Sequence, residues 1–170
     1  ISAQHIHSFL QNNKILPRHK FLITSKGIDL NSSKFLSDIF SQYTNVDNIA
    51  FLSGPSFSSE VMQSLPVALG IFSSNKNLAN EFKDIIKAPF VKTYTSTDII
   101  GAQIAGAYKN VIAIAAGISD AMNLGNNARA SLVSRGLIEM CRFGTSYKAK
   151  IDTFLGIAGA GDLFLTSSSI

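Results

Sequence analysis

The chain has 170 residues with a formal net charge of +4, and 46% of its residues are apolar while 15% are charged. This balance is typical of a globular protein and excludes an intrinsically disordered one. Because no run of four or more Lys or Arg occurs, the positive charge favours a small anionic substrate, and we predict no nucleic-acid partner.

The first half of the chain predicts alternating helices and short apolar strands. In chain order these are a helix over 4–13, a strand over 21–23, a helix around 35–40, a strand over 49–52, a short helix over 58–63, a strand over 67–72, a helix over 77–87 and a strand over 90–94. This alternation predicts a sheet covered by helices on both faces, as in a doubly wound α/β domain. No G-x-G-x-x-G turn occurs before residue 100, so we assign 1–96 as the second half of a Rossmann-like dinucleotide-binding domain.

From Thr97 onward the pattern changes to helices only, so we place a domain boundary near residue 96 and predict an all-α domain over 97–170. Thr97 and Asp98 predict the start of a long helix that reaches about residue 120. Asn126 and Asn127 are candidate caps for a second helix, with Gly144 as its stop signal. Shorter helices are predicted over 151–155 and 162–166.

The apolar stretch from Ile99 to Ile118 is long enough to cross a membrane. Lys109 lies near its middle, and a lone lysine at the bilayer centre is costly, so we predict a buried helix and no membrane span. Cys141 is the single cysteine and cannot form an internal disulfide, which indicates a reducing, cytoplasmic compartment and a thiol buried in the core. Residues 1–10 carry two histidines and no long apolar run, so we expect no signal peptide.

Lys109 is the residue most suggestive of chemistry, because it lies among small and aliphatic residues in the stretch from Ile104 to Ala113. Burial of a lysine amine favours its neutral form and suits it to proton exchange. The alternative is a lysine whose stem packs against the helix while its amine stays in water. The residues alone leave both interpretations open.

Other candidate binding residues follow predicted strands or a glycine-rich run. Lys26 closes a strand, Gly54 and Ser56 lie in a strand-to-helix turn that could receive an anion, and Asp162 follows Gly159-Ala160-Gly161. Each also has an ordinary explanation, as a solvated loop lysine, a capped turn or a helix cap. The three histidines have no spaced carboxylate or cysteine partners, so we predict no metal site.

Eight segments, taken together and in order, carry a family resemblance. They are Thr24–Ile28, Leu52–Phe57 with Glu60-Val61, Leu65-Pro66, Tyr94–Gly101, Gly106–Gly117, Gly125–Ala130, Ser134–Met140 and Gly159–Leu163. With these segments the chain resembles the bacterial NAD(P)-dependent glycerol-3-phosphate dehydrogenases.

The resemblance implies reversible reduction of dihydroxyacetone phosphate to sn-glycerol 3-phosphate with NAD or NADP. The product would be used in lipid synthesis. It implies that Lys109 is the catalytic proton donor and acceptor, and that Lys26, Gly54, Ser56, Lys109 and Asp162 contact the phosphorylated substrate. Lys26 and Ser58 match cofactor-binding positions, although most members carry alanine where this chain has Ser58. The helical part is expected to be similar to the C-terminal domain of 6-phosphogluconate dehydrogenase, and a homodimer is possible.

Two family features are missing from the sequence, namely the upstream glycine-rich turn and a Ser-Arg-Asn run after the position of Thr166. We therefore expect a fragment that is inactive by itself. The alternatives are a dehydrogenase of the same plan acting on a 3-hydroxy acid, and a non-catalytic helical module that dimerises or binds a partner.

Overall fold

The protein is described by a computed structural model that covers residues 1–168, and its first part is built around a four-stranded sheet. The strands are β1 (Phe21–Ile23), β2 (Ile49–Ser53), β3 (Val67–Phe72) and β4 (Val91–Ser96), and they lie side by side in chain order. β1 and β2 are parallel, as are β3 and β4, whereas β2 and β3 are antiparallel. All four predicted strands are confirmed, and the sheet is mixed.

Helices cover both faces of this sheet, as predicted. A short 3₁₀ turn (Ala3–His5) leads into α1 (Ile6–Asn12), and α2 (Leu36–Phe40), α3 (Ser58–Met62) and α4 (Lys76–Ile85) follow. Successive strand residues point to opposite faces. Accordingly Phe51 and Phe72 pack into the core that contains α1 and α2, while Ala50 and Ile71 pack against Leu78 of α4.

The second part consists of helices. They are α5 (Ile99–Ala121), α6 (Gly125–Ser146), α7 (Ile151–Leu155), a π-helical turn (Ile157–Gly161) and α8 (Asp162–Ser168). The predicted start of α5 is confirmed, because the Oδ1 atom of Asp98 accepts a hydrogen bond of 3.0 Å from the Gly101 amide. A second apolar core joins α5 to α6, α7 and α8 through Ile104, Met140, Phe154 and Leu163.

Two predicted features of α6 are wrong. The helix begins at Gly125 without a capping side chain, because the connection from α5 is so short that Asn126 and Asn127 already lie in the first turn. The helix also runs through Gly144 to Ser146. Gly144 is buried, and a Cβ atom there would overlap the ring of Phe154, so this glycine permits close packing and does not end the helix.

The boundary expected near residue 96 coincides with the junction of β4 and α5, yet the core continues across it. Ile99, Ala102 and Ala158 share an apolar cluster with residues of the first half. The buried side chain of Gln103 exchanges hydrogen bonds of 2.9 to 3.0 Å with the hydroxyl and amide of Ser37 in α2. The two parts of the chain therefore pack as one body at this junction.

Helix α5 meets the length and composition of a membrane-spanning helix, and half of its most apolar window is buried against protein. Such a helix is weak evidence for a membrane, since core helices of globular proteins share these properties. Cys141 on α6 is half-buried beside the second core, and burial raises the pKa of its thiol. A raised pKa disfavours the thiolate, which is consistent with a packing role.

Asp98 connects α5 to α7. Its Oδ2 atom accepts hydrogen bonds of 2.6 Å from the Thr153 hydroxyl and 2.9 Å from the Lys150 amide, in addition to the cap at Gly101. Removing this carboxylate would leave buried donors without an acceptor, which costs more free energy of folding than the loss of a helix cap alone.

We therefore expect Asp98→Ala to lower the free energy of unfolding by roughly 2–4 kcal/mol. Asn75→Ala is the matched control, because Asn75 caps α4 and its one further side-chain hydrogen bond, to the Asp47 carbonyl at 3.2 Å, is exposed, so its loss should cost about 1 kcal/mol. Urea denaturation measures both values. Equal losses in the two variants would contradict the connecting role of Asp98.

Candidate active site

A buried ion pair joins α5 to α8. The Nζ atom of Lys109 lies 2.7 Å from Oδ1 of Asp162, and the side chains are only 11% and 5% exposed. The same amine donates a 3.0 Å hydrogen bond to the hydroxyl of Thr166. These residues lie 53 and 57 positions from Lys109, and the fold brings them together because α8 packs along α5. The amine is thus held by protein groups, and the alternative of an amine in bulk water is excluded.

The carboxylate of Asp162 has a second oxygen that can accept a further hydrogen bond. Its Oδ2 atom is buried and has no hydrogen-bond partner among residues 1–168. The hydroxyl of Thr166 donates to the backbone carbonyl of Asp162 at 2.6 Å, so that hydroxyl's proton is already engaged. Buried acceptors are normally satisfied. A donor from a bound molecule, such as a substrate hydroxyl, would complete this group.

Lys26 approaches from the sheet. It follows β1, and because β1 and β2 are parallel their carboxyl ends meet at one edge, which brings Lys26 to the end of β2. Its amine donates hydrogen bonds of 3.0 Å to the Leu52 carbonyl and 2.7 Å to the Ser53 hydroxyl. Its stem passes α5 at Gly106, where a Cβ atom would lie only 2.8 Å from Cδ of Lys26.

Gly106 and Lys109 are three residues apart and therefore share one face of α5. Lys26 and the Lys109–Asp162 pair consequently lie along the same side of this helix. Burial lowers the pKa of Lys26 to about 8, the charge of Asp162 opposes this effect, and the charge of Lys109 adds to it. The two amines and the carboxylate thus act on one another electrostatically.

The turn after β2 lies beside this cluster. Gly54 has a φ of +137°, and a Cβ atom there would lie 2.8 Å from the Ala68 carbonyl oxygen, so only glycine fits this turn. Pro55 is close to Gly161, since a Cβ atom on Gly161 would contact the Pro55 ring at 3.6 Å. Ser56 is exposed, and its hydroxyl donates to the Gly54 carbonyl at 3.2 Å. Ser58 is the exposed first residue of α3.

The structure therefore brings Lys109 and Asp162 into direct contact and places Lys26 and the Gly54 turn beside them. Two residues of this cluster were missed from the sequence, namely Ser53 and Thr166. Thr166 follows Asp162 by four positions, a spacing that places both on one helix face, and this could have identified it. Ser53 had no comparable signal beyond its place at a strand end.

A larger cleft of about 450 Å³ lies elsewhere, between β3 and β4 on one side and α7 with the π-helical turn on the other. Its lining is mainly apolar and includes Phe72 and Ile157; Lys150 and Asp152 lie at it, but Lys26, Lys109 and Asp162 do not. We place the candidate site at the charged cluster, because proton transfer needs convergent titratable groups.

Lys26 and Ser58 are the residues of this chain that we expect to contact a dinucleotide. Lys26 and Ser58 stand near the carboxyl ends of two parallel strands, where nucleotide ligands of α/β folds bind. The sequence contains no G-x-G-x-x-G turn after a strand that would hold a pyrophosphate. Within residues 1–168 no group of three or more His, Cys, Asp or Glu side chains is arranged to hold a metal ion.

Comparison with known proteins identifies one family. The family model for the N-terminus of NAD-dependent glycerol-3-phosphate dehydrogenase matches residues 1–79, and the model for its C-terminus matches residues 98–170. The chain is 57% identical over 169 residues to the glycerol-3-phosphate dehydrogenase [NAD(P)+] of Sulfurimonas denitrificans and 56% identical over 167 residues to that of Campylobacter lari. It covers 57% and 55% of these two proteins, so it spans little more than half of their length.

A solved structure agrees with these matches. The crystal structure of glycerol-3-phosphate dehydrogenase from Coxiella burnetii superposes on 99% of this chain with a TM-score of 0.93 and 32% sequence identity. The superposed region is 52% of that structure.

Because the pKa of Lys26 is lowered in the folded chain, we expect the free energy of unfolding to depend on pH. Between about pH 8 and pH 10.5 the unfolded chain binds more protons at this residue than the folded chain does, so stability rises with pH. Lys26→Met removes this effect. The wild type should therefore gain stability relative to Lys26→Met as pH rises through this window, as measured by urea denaturation in steps of pH.

Lys14→Met is the control, because Lys14 is an exposed lysine. Its difference from the wild type should not change over the same range. A Lys26→Met difference that is equally flat would contradict burial of the Lys26 charge.

Proposed function

The chain belongs to the NAD-dependent glycerol-3-phosphate dehydrogenase family, and from this we propose that its protein catalyses the reversible NAD(P)-dependent reduction of dihydroxyacetone phosphate to sn-glycerol 3-phosphate. The observation that carries the proposal is the buried Lys109–Asp162 pair at 2.7 Å. It provides a proton donor in a site that is largely shielded from water, as reduction of a carbonyl requires.

Lys109 is the proposed proton donor and acceptor. The bound nicotinamide would supply the hydride. The Lys109 ammonium would give a proton to the substrate oxygen as that oxygen gains negative charge, and the neutral amine would take the proton back in the reverse direction. Asp162 and Thr166 orient the amine through their hydrogen bonds of 2.7 and 3.0 Å. Holding the donor in place reduces the entropy cost of reaching the transition state.

Substrate binding is proposed for Lys26, Gly54, Ser56, Lys109 and Asp162. The Lys26 ammonium carries a charge that attracts a phosphorylated molecule, and the unpaired Oδ2 of Asp162 can accept a hydrogen bond from a hydroxyl. Gly54 and Ser56 would contribute backbone N–H groups in the turn after β2. For the cofactor, NAD or NADP, the proposed contacts within this chain are Lys26 and Ser58.

A cytoplasmic protein without a membrane span is part of the same proposal. Three polar residues, Asp98 at the start of α5 and Gln103 and Lys109 within it, bond to other segments of the protein. A helix that bonds these groups to neighbouring elements suits the interior of a globular protein. A homodimer is the proposed assembly, and the proposed ligands include no nucleic acid.

An exposed apolar stripe supports a second candidate function. Val111, Ile114 and Ile118 of α5, and Met122 just beyond its end, are each more than half exposed and recur at helical spacing. Such a stripe suits a non-catalytic helical module that dimerises or binds a partner. Turnover of dihydroxyacetone phosphate by the whole protein that contains this chain would decide for the enzyme.

Lys109→Met in that whole protein should lower kcat by roughly 100- to 10,000-fold, because the general acid is lost. Lys92→Met is the control, since Lys92 is an exposed lysine on β4 and should retain normal turnover. Steady-state oxidation of NADH or NADPH measures both. Near-normal turnover by Lys109→Met would refute the proposed role.

The 170-residue chain by itself should bind NADH weakly and show no dehydrogenase activity. The reason is that its sequence has no glycine-rich turn to place a pyrophosphate at a helix N-terminus. Calorimetric titration with NADH measures the affinity. Micromolar binding would contradict the expectation and require a cofactor site among the residues present here.

A further inference from the structure

The amine of Lys26 is held by two acceptors at the end of β2. A lysine ammonium has three N–H donors. Two of them are used by the Leu52 carbonyl at 3.0 Å and the Ser53 hydroxyl at 2.7 Å. One donor therefore remains available for a ligand, and its direction is fixed by the other two.

Ser53 is built into the structure where it can fix this direction. It is the last residue of β2, is only 3% exposed and pairs with Gly70 of β3. Its backbone is thus anchored by pairing with β3, and a serine side chain has a single short torsion. The hydroxyl is consequently a rigid acceptor, whereas the lysine it holds has a long and flexible stem.

The opposite side of the Lys26 stem is bounded by α5. Gly106 leaves just enough room for the stem, because a Cβ atom there would lie 2.8 Å from Cδ of Lys26. The stem is therefore confined between the helix and the end of β2. Any change on either side alters where the amine points.

We infer that Ser53 is a positioning residue, which holds the Lys26 amine so that its remaining donor faces the phosphorylated substrate beside Lys109 and Asp162. The inference rests on the proposed function. Ser53 does not touch the reacting atoms; it acts through Lys26. Its hydroxyl also stabilises the charged form of Lys26, against the burial that favours the neutral form.

The test is Ser53→Ala in the whole protein that contains this chain. Loss of a hydrogen bond to a charged group should raise the KM for dihydroxyacetone phosphate by roughly 10- to 100-fold while kcat changes little. The fall of kcat/KM on the alkaline side should move to lower pH, because the Lys26 ammonium has lost an acceptor. An unchanged KM with an unchanged pH profile would overturn the inference.

Ser73→Ala is the matched control. Ser73 is also a buried serine beyond a strand end, and its hydroxyl donates to the Ile49 carbonyl at 2.7 Å, at the opposite end of β2 from Lys26. Both variants lose a buried hydroxyl and should lose stability to a similar extent. Only Ser53→Ala should change the KM and the pH profile; the same change in Ser73→Ala would show that the effect is merely structural.

Gly106→Ala tests the same inference without altering β2. The added methyl group must displace the Lys26 stem, while alanine favours the helical conformation of α5. We expect a raised KM with undiminished thermal stability, and an unchanged KM would count against the inference. This variant also covers the case in which Ser53→Ala does not fold.

A direct titration separates this inference from the proposed function. NMR of the isotope-labelled Lys26 amine in the wild type and in Ser53→Ala reports the amine without any turnover. A downward shift of the titration in Ser53→Ala supports the inference, and identical titrations overturn it. If the wild-type protein did not reduce dihydroxyacetone phosphate, the proposed function would fail while this titration still decided the role of Ser53.

Discussion

The structure depends on how α5 satisfies its few polar groups while it is packed between the sheet and the other helices. A buried polar group costs free energy unless it is hydrogen-bonded. Three of these groups each fix a neighbour: Asp98, at the start of α5, binds the start of α7, Gln103 binds Ser37 of α2, and Lys109 binds Asp162 of α8. The apolar side chains of the helix pack into the cores but do not by themselves fix how a neighbouring element is oriented. These three connections set the orientation of the surrounding elements around α5, and the candidate site forms at the third of them.

The candidate site also depends on close packing against α5. Gly106 is buried on the face of α5 that carries Lys109, and its missing side chain leaves the path that the Lys26 stem occupies. Two lysines can thus approach one carboxylate without contending for the same acceptor. Lys109 is bonded to Asp162 and Thr166, whereas Lys26 is bonded to Leu52 and Ser53. This separation lets one amine act on a proton while the other attracts an anion.

The helices and strands of this fold could be predicted from the sequence where a local residue pattern determines them. They could not be predicted where packing between distant parts of the chain determines them. β1, β2 and β3 are mainly apolar runs, β4 alternates apolar with polar residues, and Asp98 stands where a helix cap belongs. The antiparallel pairing of β2 and β3 depends on the path of the connection that contains α3, which has no local signature. Gly144 resembled a helix stop, and only the ring of Phe154 against it explains its place inside α6. Likewise, the family resemblance implied that Lys109 and Asp162 contact one substrate, while the hydroxyls of Ser53 and Thr166 gained their roles from neighbours far away in sequence.

The charges of the candidate site do not balance by themselves. Lys26 and Lys109 carry two positive charges against the single negative charge of Asp162, in a region with little water. The lowered pKa of Lys26 is the consequence, because burial and the neighbouring Lys109 both disfavour its charged form. An anion bound at the remaining donor of Lys26 would offset this imbalance and hold the lysine in its charged state. A phosphate group has the charge and the acceptors to do so. The same charge imbalance that makes the cluster costly to fold is thus what would make it bind a phosphorylated molecule.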